Sequence, residues 1–393
     1  MDSTYDWIVV GGGIAGSAAA YELAHQGLSV LLLEAGLPLQ ATRCGYGGIP
    51  YWMGRTPLMQ QLCQEGYARH QALPQELNAE TQFRDLDLLL TVNADQDPHQ
   101  ALAQYTGCST VPTVIGVSEA CDREPLLNPE AIAGALLVRH AHVDPILLLR
   151  AYNQAFRRLN GKLKFEQVVQ IDDDAELQVT TTADQFTCGN VLVCAGGLSR
   201  HLLSKAGLPV KQYFTHAEVL ITPPLPFSLR TMIMPAEGDR ATLEQQSTQP
   251  EQEARWSQES DQIVPPAIDP GAIQFLDQRL YIGQISRAIG DPFAPVDLAQ
   301  SEATLRQIVG RVLPSLKDAP GNCHHCLVAF SSDGLPLVGP VAPGSRVQVF
   351  SGFAGPFALV PPLAKRFAAQ VAGSADPLLA DLLPQRGSLT AGL

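Results

Sequence analysis

Residues 6–34 read DWIVVGGGIAGSAAAYELAHQGLSVLLLE, and the fold class follows from this stretch. Asp6 to Val10 is a short apolar run suited to a buried strand, and it ends in Gly11-Gly12-Gly13-Ile14-Ala15-Gly16. An alanine-rich segment, Ser17 to Gln26, predicts a helix, with Gly27 where the residue after a helix C-terminus belongs. Leu28 to Leu33 is a second buried-strand run, closed by Glu34 and Ala35. Strand, glycine turn, helix, strand, acid is the order of a dinucleotide-binding βαβ unit. Gly11 permits the tight turn, Gly13 lets backbone amides approach a pyrophosphate, and Gly16 lets the helix pack closely on the strand. The helix start at Ile14 and Ala15 then offers its dipole and free N–H groups to the anion. Glu34 is placed to accept hydrogen bonds from an adenosine ribose and to disfavour a 2′-phosphate. A glycine-rich turn without a ligand is the alternative that this ordered context argues against.

The remainder of the 393-residue chain sets the limits of the reading. Its net charge of −13 argues against nucleic-acid binding, which needs a basic face. With 46% hydrophobic and 17% charged residues, it can bury a large core and does not have the composition of a disordered chain. No run reaches ~18 uninterrupted apolar residues, so no membrane span is expected. The N-terminus lacks the basic and apolar regions of a secretory signal, which makes the cytoplasm the expected compartment. The eight cysteines show no disulfide-framework spacing.

Further landmarks follow in order. Asp144-Pro145 predicts an N-cap and first turn, opening a helix whose apolar residues Ile146, Leu149, Tyr152, Phe156 and Leu159 recur at helical spacing. Strands are expected over 164–171, 177–182 and 190–194, the last entering Ala195-Gly196-Gly197. Asp172-Asp173-Asp174 lacks the glycine and distal glutamate of a calcium loop and is read as a hairpin turn. Residues 235–271 are rich in Gln, Glu, Ser and Pro, the composition of an exposed insertion or lid, with disorder as the plainer reading. No nucleophile elbow, P-loop or zinc helix is present.

These landmarks, with Asp333-Gly334-Leu335-Pro336, Gly339-Pro340 and Gly352-Phe353-Ala354-Gly355, resemble the D-amino-acid oxidase (DAO) superfamily of FAD enzymes, in its glycine oxidase and sarcosine oxidase branch. The resemblance implies an α/β fold in which a Rossmann-type FAD-binding domain is interleaved with a substrate domain on a mostly antiparallel sheet. The expected FAD-binding pieces are 1–80, 141–212 and 321–393; the substrate domain takes 81–140 and 213–320. It also implies FAD held by the glycine turn, by Glu34 and by Val168 at the adenine. Thr42, Arg43, Gly47 and Gly48 would lie beside the flavin, and Ala195 and Gly196 would line the cleft. Gly334, Leu335 and Gly352 to Gly355 would bring backbone donors to the ring. The implied reaction is hydride removal from the carbon beside a neutral amine, with the imine hydrolysing in water. A small-molecule amine or amino acid is the expected partner.

The departures from that pattern are specific. The arginine that clamps a substrate carboxylate in glycine oxidases is replaced by Val328, and the lysine of sarcosine oxidases by Leu359. Arg43, Arg55 or Arg287 would have to substitute, since an arginine fork matches a carboxylate. Tyr281 stands where sarcosine-type enzymes place a lysine near the flavin, so a dehydrogenase of an amine or 2-hydroxy acid using another acceptor competes with an oxidase. A non-catalytic flavin-binding protein and a plain NAD dehydrogenase are weaker readings. Cys323-His324-His325-Cys326 offers half a zinc site at most, and no metal is expected. By the resemblance, Cys326 occupies the position from which a cysteine sulfur joins the flavin; a buried strand cysteine is the alternative. His216 is a candidate proton acceptor, and Tyr46, Tyr213 and Gln284 are candidates to border the substrate, subject to strand parity.

Overall fold

The computed structural model describes residues 4–257 and 262–386. The first strand, Tyr5–Val10, pairs in parallel with Val30–Leu33 on one side and Gln185–Val193 on the other. The sheet continues through Val347–Ser351 to the antiparallel Leu337–Pro340 at one edge, and to Lys162–Lys164 at the other. Its central strands carry no alternation because both faces are covered, the behaviour of a parallel sheet between layers. Trp7, Val9, Leu32 and Phe350 pack against the helices Ile14–His25, Pro145–Arg158 and Pro356–Val371. Ile8, Val10, Leu31 and Val193 face the hairpin Val168–Asp173 with Leu177–Thr181, and the helix Ser199–Lys205. The Asp172 to Asp174 segment lies at that hairpin, with the Asp173 carboxylate paired to Arg346.

Asp144 caps the Pro145–Arg158 helix as its sequence predicts, accepting from the amides of Ile146 at 2.8 Å and Leu147 at 3.0 Å. It also pairs at 3.1 Å with Arg279, the residue just before the strand Leu280–Arg287, so one side chain links the helix start to that strand.

The second sheet is ordered Asn322–Ser331, Gln212–Ile221, Leu280–Arg287, Ala272–Gln274, Met232–Pro235, Arg84–Asn93, Ile132–His142 and Gly48–Ile49. Its long pairings are antiparallel, 212–221 with 322–331 and 84–93 with 132–142; only Met232–Pro235 joins Arg84–Asn93 in parallel. One face packs on the helix Leu298–Val312 through Leu305 and Val309. Sheet membership crosses the expected boundaries: residues 48–49, 141–142, 212 and 322–331 fall in stretches assigned to FAD binding but hydrogen-bond into the second sheet.

The polar segment 235–271 is structured over its described residues. It contains the helix Asp239–Ser247 and a 3-10 run Pro250–Ser257, anchored by the buried side chains Leu243, Trp256 and Ile263. Three apolar anchors are enough to seat a segment whose average composition looks solvated. Residues 258–261 of it lie outside the described chain.

Candidate active site

The glycine turn has the tight geometry its spacing requires. Gly11 adopts φ +105°, and a Cβ there would lie 2.5 Å from the carbonyl oxygen of Cys194. A Cβ on Gly16 would lie 1.8 Å from the Gly11 carbonyl, so the helix rests directly on the turn. Gly13, the cap residue, has no side chain to close the helix start, and only the Thr42 hydroxyl approaches, accepting from the Ile14 amide at 3.0 Å. Glu34 is 7% exposed and accepts from the amides of Gly12 at 2.6 Å and Gly36 at 2.7 Å, and from the side-chain nitrogen of Gln40. The other terminus of that side chain, Gln40 Oε1, is buried without a partner. An open helix N-terminus beside a fixed carboxylate and an unsatisfied acceptor fits a pyrophosphate joined to a ribose.

From this cradle a cavity of about 710 Å³ runs between the two sheets. Ala35, Glu34 and Val168 border one end, and Ala195 and Gly196 follow. Gly352, Phe353, Ala354 and Gly355 come next, where the Pro356–Val371 helix begins without a side-chain cap. The far wall is the second sheet, where Leu88, Leu90, Ala217, Val219 and Met232 face inward with Trp52 and Tyr105.

The family model described as FAD dependent oxidoreductase, DAO, matches residues 6–370. The chain belongs to the DAO family of FAD-dependent oxidoreductases. Glycine oxidase of Geobacillus kaustophilus is 25% identical over 269 residues, covering 63% of this chain and 71% of that protein. Monomeric sarcosine oxidase of Streptomyces avermitilis is 26% identical over 217 residues, 53% of this chain and 56% of that one. The crystal structure of the Geobacillus kaustophilus glycine oxidase superposes with a TM-score of 0.76 at 20% identity, over 98% of this chain and 99% of that one, a likeness of fold. The cofactor is FAD, and the cradle just described fits its adenosine and pyrophosphate.

Several of the residues expected at the flavin or the substrate line this cavity. Gly11, Gly13, Ile14, Ala15, Thr42, Gly47, Gly48, Tyr46, Gln284 and Cys326 are among them. Tyr46 donates its hydroxyl to the Gly283 carbonyl at 2.6 Å, and burial holds its pKa well above the usual phenol range. Gly283 adopts φ +65° where the pairing of Leu280–Arg287 with Gln212–Ile221 slips by one residue, a bulge that re-aims Gln284 into the cavity. Cys326 sits opposite Ala217 and neighbours the Cys44 thiol, which also lines the cavity. That contact lowers the Cys44 pKa; with burial, it pushes Cys326 well above the ordinary thiol range. No cluster of potential metal ligands occurs among the described residues.

Other expected residues are elsewhere. His216 is fully buried on the opposite side of its strand, with Nδ1 2.9 Å from His325 Nε2 and Nε2 3.0 Å from the Asp291 carbonyl; its neighbours Ala217 and Val219 face the cavity. Burial, with His325 and despite the Asp291 carbonyl, lowers its pKa to about 4. Tyr213 lies under the insertion, donating to Glu253 at 2.6 Å and packing on Trp256. Tyr281 spends its hydroxyl on the Arg43 carbonyl at 2.9 Å, and the Arg43 side chain is exposed. Neither lines the cavity. Gly334 and Leu335 form a turn tied down by Asp333 and Arg386, outside the cavity. Arg55 donates to the Gln104 carbonyl at 2.8 Å, and Arg287 pairs with Glu218 at 3.1 Å, a carboxylate that also accepts from Ser301 of the Leu298–Val312 helix. Val328 lines the cavity, whereas Leu359 is buried in the helical core.

The structure adds polar groups that sequence reasoning missed. His140 accepts the Trp52 indole N–H on Nδ1 at 3.0 Å, which leaves the proton on Nε2; that atom is buried without a partner beside Gly48. Burial lowers its pKa to about 3, so it stays neutral. Arg240 and Asp269, both from the polar insertion, also line the cavity. Burial, only partly offset by the Asp239 amide and by Arg240, raises the Asp269 pKa to about 6. No motif marked these three; a charged residue inside a solvated-looking segment carries no signal of what it faces.

Proposed function

We propose that the protein oxidises a small amine or amino acid, removing hydride from the carbon that bears the nitrogen and releasing an imine. The observation that carries this reading is the single cavity joining the dinucleotide cradle to an apolar wall of the second sheet. When bound, FAD supplies the hydride acceptor. The chain's own residues bind, orient and exclude water. The first helix and the amides of its glycine turn hold the pyrophosphate, Glu34 takes the ribose, and Val168 reaches the adenine through its backbone. The uncapped start of the Pro356–Val371 helix, at Gly352 to Gly355, turns its positive end toward the cavity and stabilises negative charge that develops there. Leu88, Leu90 and Met232 keep the reacting carbon in a dry wall. Tyr46 and Gln284 border the substrate.

Oxygen is the proposed acceptor and the cytoplasm the proposed compartment. No described helix is long and apolar enough to cross a membrane. A dehydrogenase that passes electrons to a quinone or protein is supported by Tyr281, which by the resemblance replaces a lysine and whose hydroxyl is committed to the Arg43 carbonyl. Thioether attachment through Cys326 belongs to the same proposal, since that residue lines the cavity. The visible spectrum before and after anaerobic addition of an amine library tests cofactor and reaction together. Bleaching by an amine supports the reading, and failure of every amine to bleach a dithionite-reducible flavin rejects it. Dye reduction without hydrogen peroxide would select the dehydrogenase, and yellow colour released into the supernatant by acid would remove the thioether.

A further inference from the structure

The carboxylate clamps of related enzymes are absent at Val328 and Leu359, and Arg43, Arg55 and Arg287 all point away from the cavity. Arg240 is the one arginine lining it among the described residues. It stands in the first turn of the Asp239–Ser247 helix, and its Nε donates to Glu244 at 2.7 Å, one turn further on. That bond fixes the plane of the guanidinium and leaves both Nη groups without a partner among the described residues. Asp269 accepts the amide of Asp239, the residue before Arg240, on Oδ1 at 3.0 Å. This bond docks the helix start onto the segment that leads into the second sheet. Asp269 is 7% exposed, and its Oδ2 has no partner among the described residues. The backbone of Asp269 pairs with Gln284 in both directions, at 2.9 and 3.0 Å, so its place at the wall is set by the sheet.

A planar cationic fork and a carboxylate oxygen, both held by partners that leave one edge free, therefore meet the same cavity beside an apolar wall. We propose that Arg240 and Asp269 anchor the two charged ends of an α-amino-acid substrate, the guanidinium taking the carboxylate and Asp269 taking the ammonium and accepting one of its protons before hydride leaves the carbon of the neutral amine. The anchor rests on the flavoenzyme reading above. It makes Arg240 a specificity-determining residue supplied by the insertion. A bidentate guanidinium–carboxylate pair gives orientation as well as attraction. Each half of the ligand alone leaves groups unmatched: an amine without a carboxylate leaves the Arg240 Nη donors unpaired although Glu244 balances the charge, and an acid without an amine leaves Asp269 without a cationic partner. A zwitterion matches both at no change in the net charge of the site.

The test uses the FAD-loaded protein under anaerobic conditions, with bleaching of the visible flavin band as the readout. The common amino acids and their N-methyl derivatives, in both enantiomers, are each compared with the decarboxylated amine. The effective amino acid should half-saturate at a concentration roughly 100-fold below that of its matched amine. Arg240→Gln should raise the amino acid's half-saturation by roughly 100-fold while moving the amine's less than about threefold, so that the preference collapses. Arg240→Lys keeps the charge without the fork and should fall between. FAD content and thermal midpoint identify a misfolded variant, in which case the lysine variant and the wild-type amine comparison carry the test. An amine as effective as its amino acid, with the ratio unchanged in the Arg240 variants, overturns the anchor and leaves the flavoenzyme reading standing. Absence of bleaching by every compound, with dithionite still effective, overturns both.

Discussion

Gly13 and Gly16 lie three residues apart in the same turn and should fail in different ways when given a methyl group. In Gly16→Ala the new carbon would sit 1.8 Å from the Gly11 carbonyl oxygen. Ordinary contact is about 3.5 Å, so helix and turn must separate by roughly 1.7 Å. Both partners are backbone in a core of strand and helix, which leaves no flexible side chain to yield. The expected cost is about 1–3 kcal/mol of stability, and the displaced helix start loses its aim at the pyrophosphate as well. In Gly13→Ala the new carbon meets only the Thr42 hydroxyl, at 3.2 Å, and the backbone φ of −71° suits alanine. Because Gly13 is the helix cap, where alanine is less favourable than glycine, stability of the apoprotein should fall by no more than about 1 kcal/mol. The methyl then occupies the cavity directly over the first amides of the helix, and FAD affinity should fall at least about 100-fold, equivalent to ~2.7 kcal/mol. Urea unfolding of the apoproteins gives the stabilities, and flavin fluorescence titration gives the affinities. A Gly13→Ala protein that purifies with a full complement of FAD would refute the placement of the pyrophosphate. A Gly16→Ala protein as stable as wild type would refute the close helix contact.

Three further outcomes follow from the wall, the thiols and the buried histidines. Val219→Phe should fill the cavity and lower FAD or substrate affinity at least about tenfold, whereas His216→Gln should leave kcat within about threefold; both are read by flavin titration and turnover, and a large loss of kcat in the histidine variant would return His216 to the reaction. In the apoprotein at neutral pH, iodoacetamide should modify Cys44 ahead of Cys326, because their contact lowers the first thiol and raises the second; peptide mapping that finds Cys326 labelled first contradicts this. His70 is fully buried, and burial, opposed only by the Phe357 carbonyl, lowers its pKa to about 4. Below pH ~6.5 the unfolded chain binds a proton that the folded chain refuses, so this residue's contribution is lost as pH falls toward about 4, at up to about 1.4 kcal/mol per pH unit, and is constant above that window. Denaturation midpoints across the window should show a shallower acid slope in His70→Gln; an unchanged slope would refute the assignment.

The nucleotide end of the site was legible because its chemistry is local. Gly11, Gly16 and Glu34 lie within one βαβ unit, and each answers to a backbone approach that sequence spacing encodes. The substrate end is assembled from strands whose phase the sequence does not reveal. Gln212–Ile221 is buried on both faces for nine of its ten residues, with the cavity on one side and the Leu298–Val312 helix on the other. No polar and apolar alternation survives in such a strand, so nothing distinguishes His216 from Ala217 except the register itself. The neighbouring strand changes phase at the Gly283 bulge, which aims Gln284 inward and leaves Tyr281 at the margin. Arg240 is the opposite case. Its segment has too few apolar residues to predict packing, yet Leu243, Trp256 and Ile263 suffice to seat it, and the docking brings a guanidinium to a wall where the strands carry valine and alanine. If Arg240 anchors the substrate, the structured insertion supplies the cation to a cavity whose strand carries Val328. Placing an arginine on the strand with Val328→Arg should then rescue amino-acid binding in Arg240→Gln by at least about tenfold, while the same substitution in the wild-type background should bring a second cation into the cavity and weaken binding.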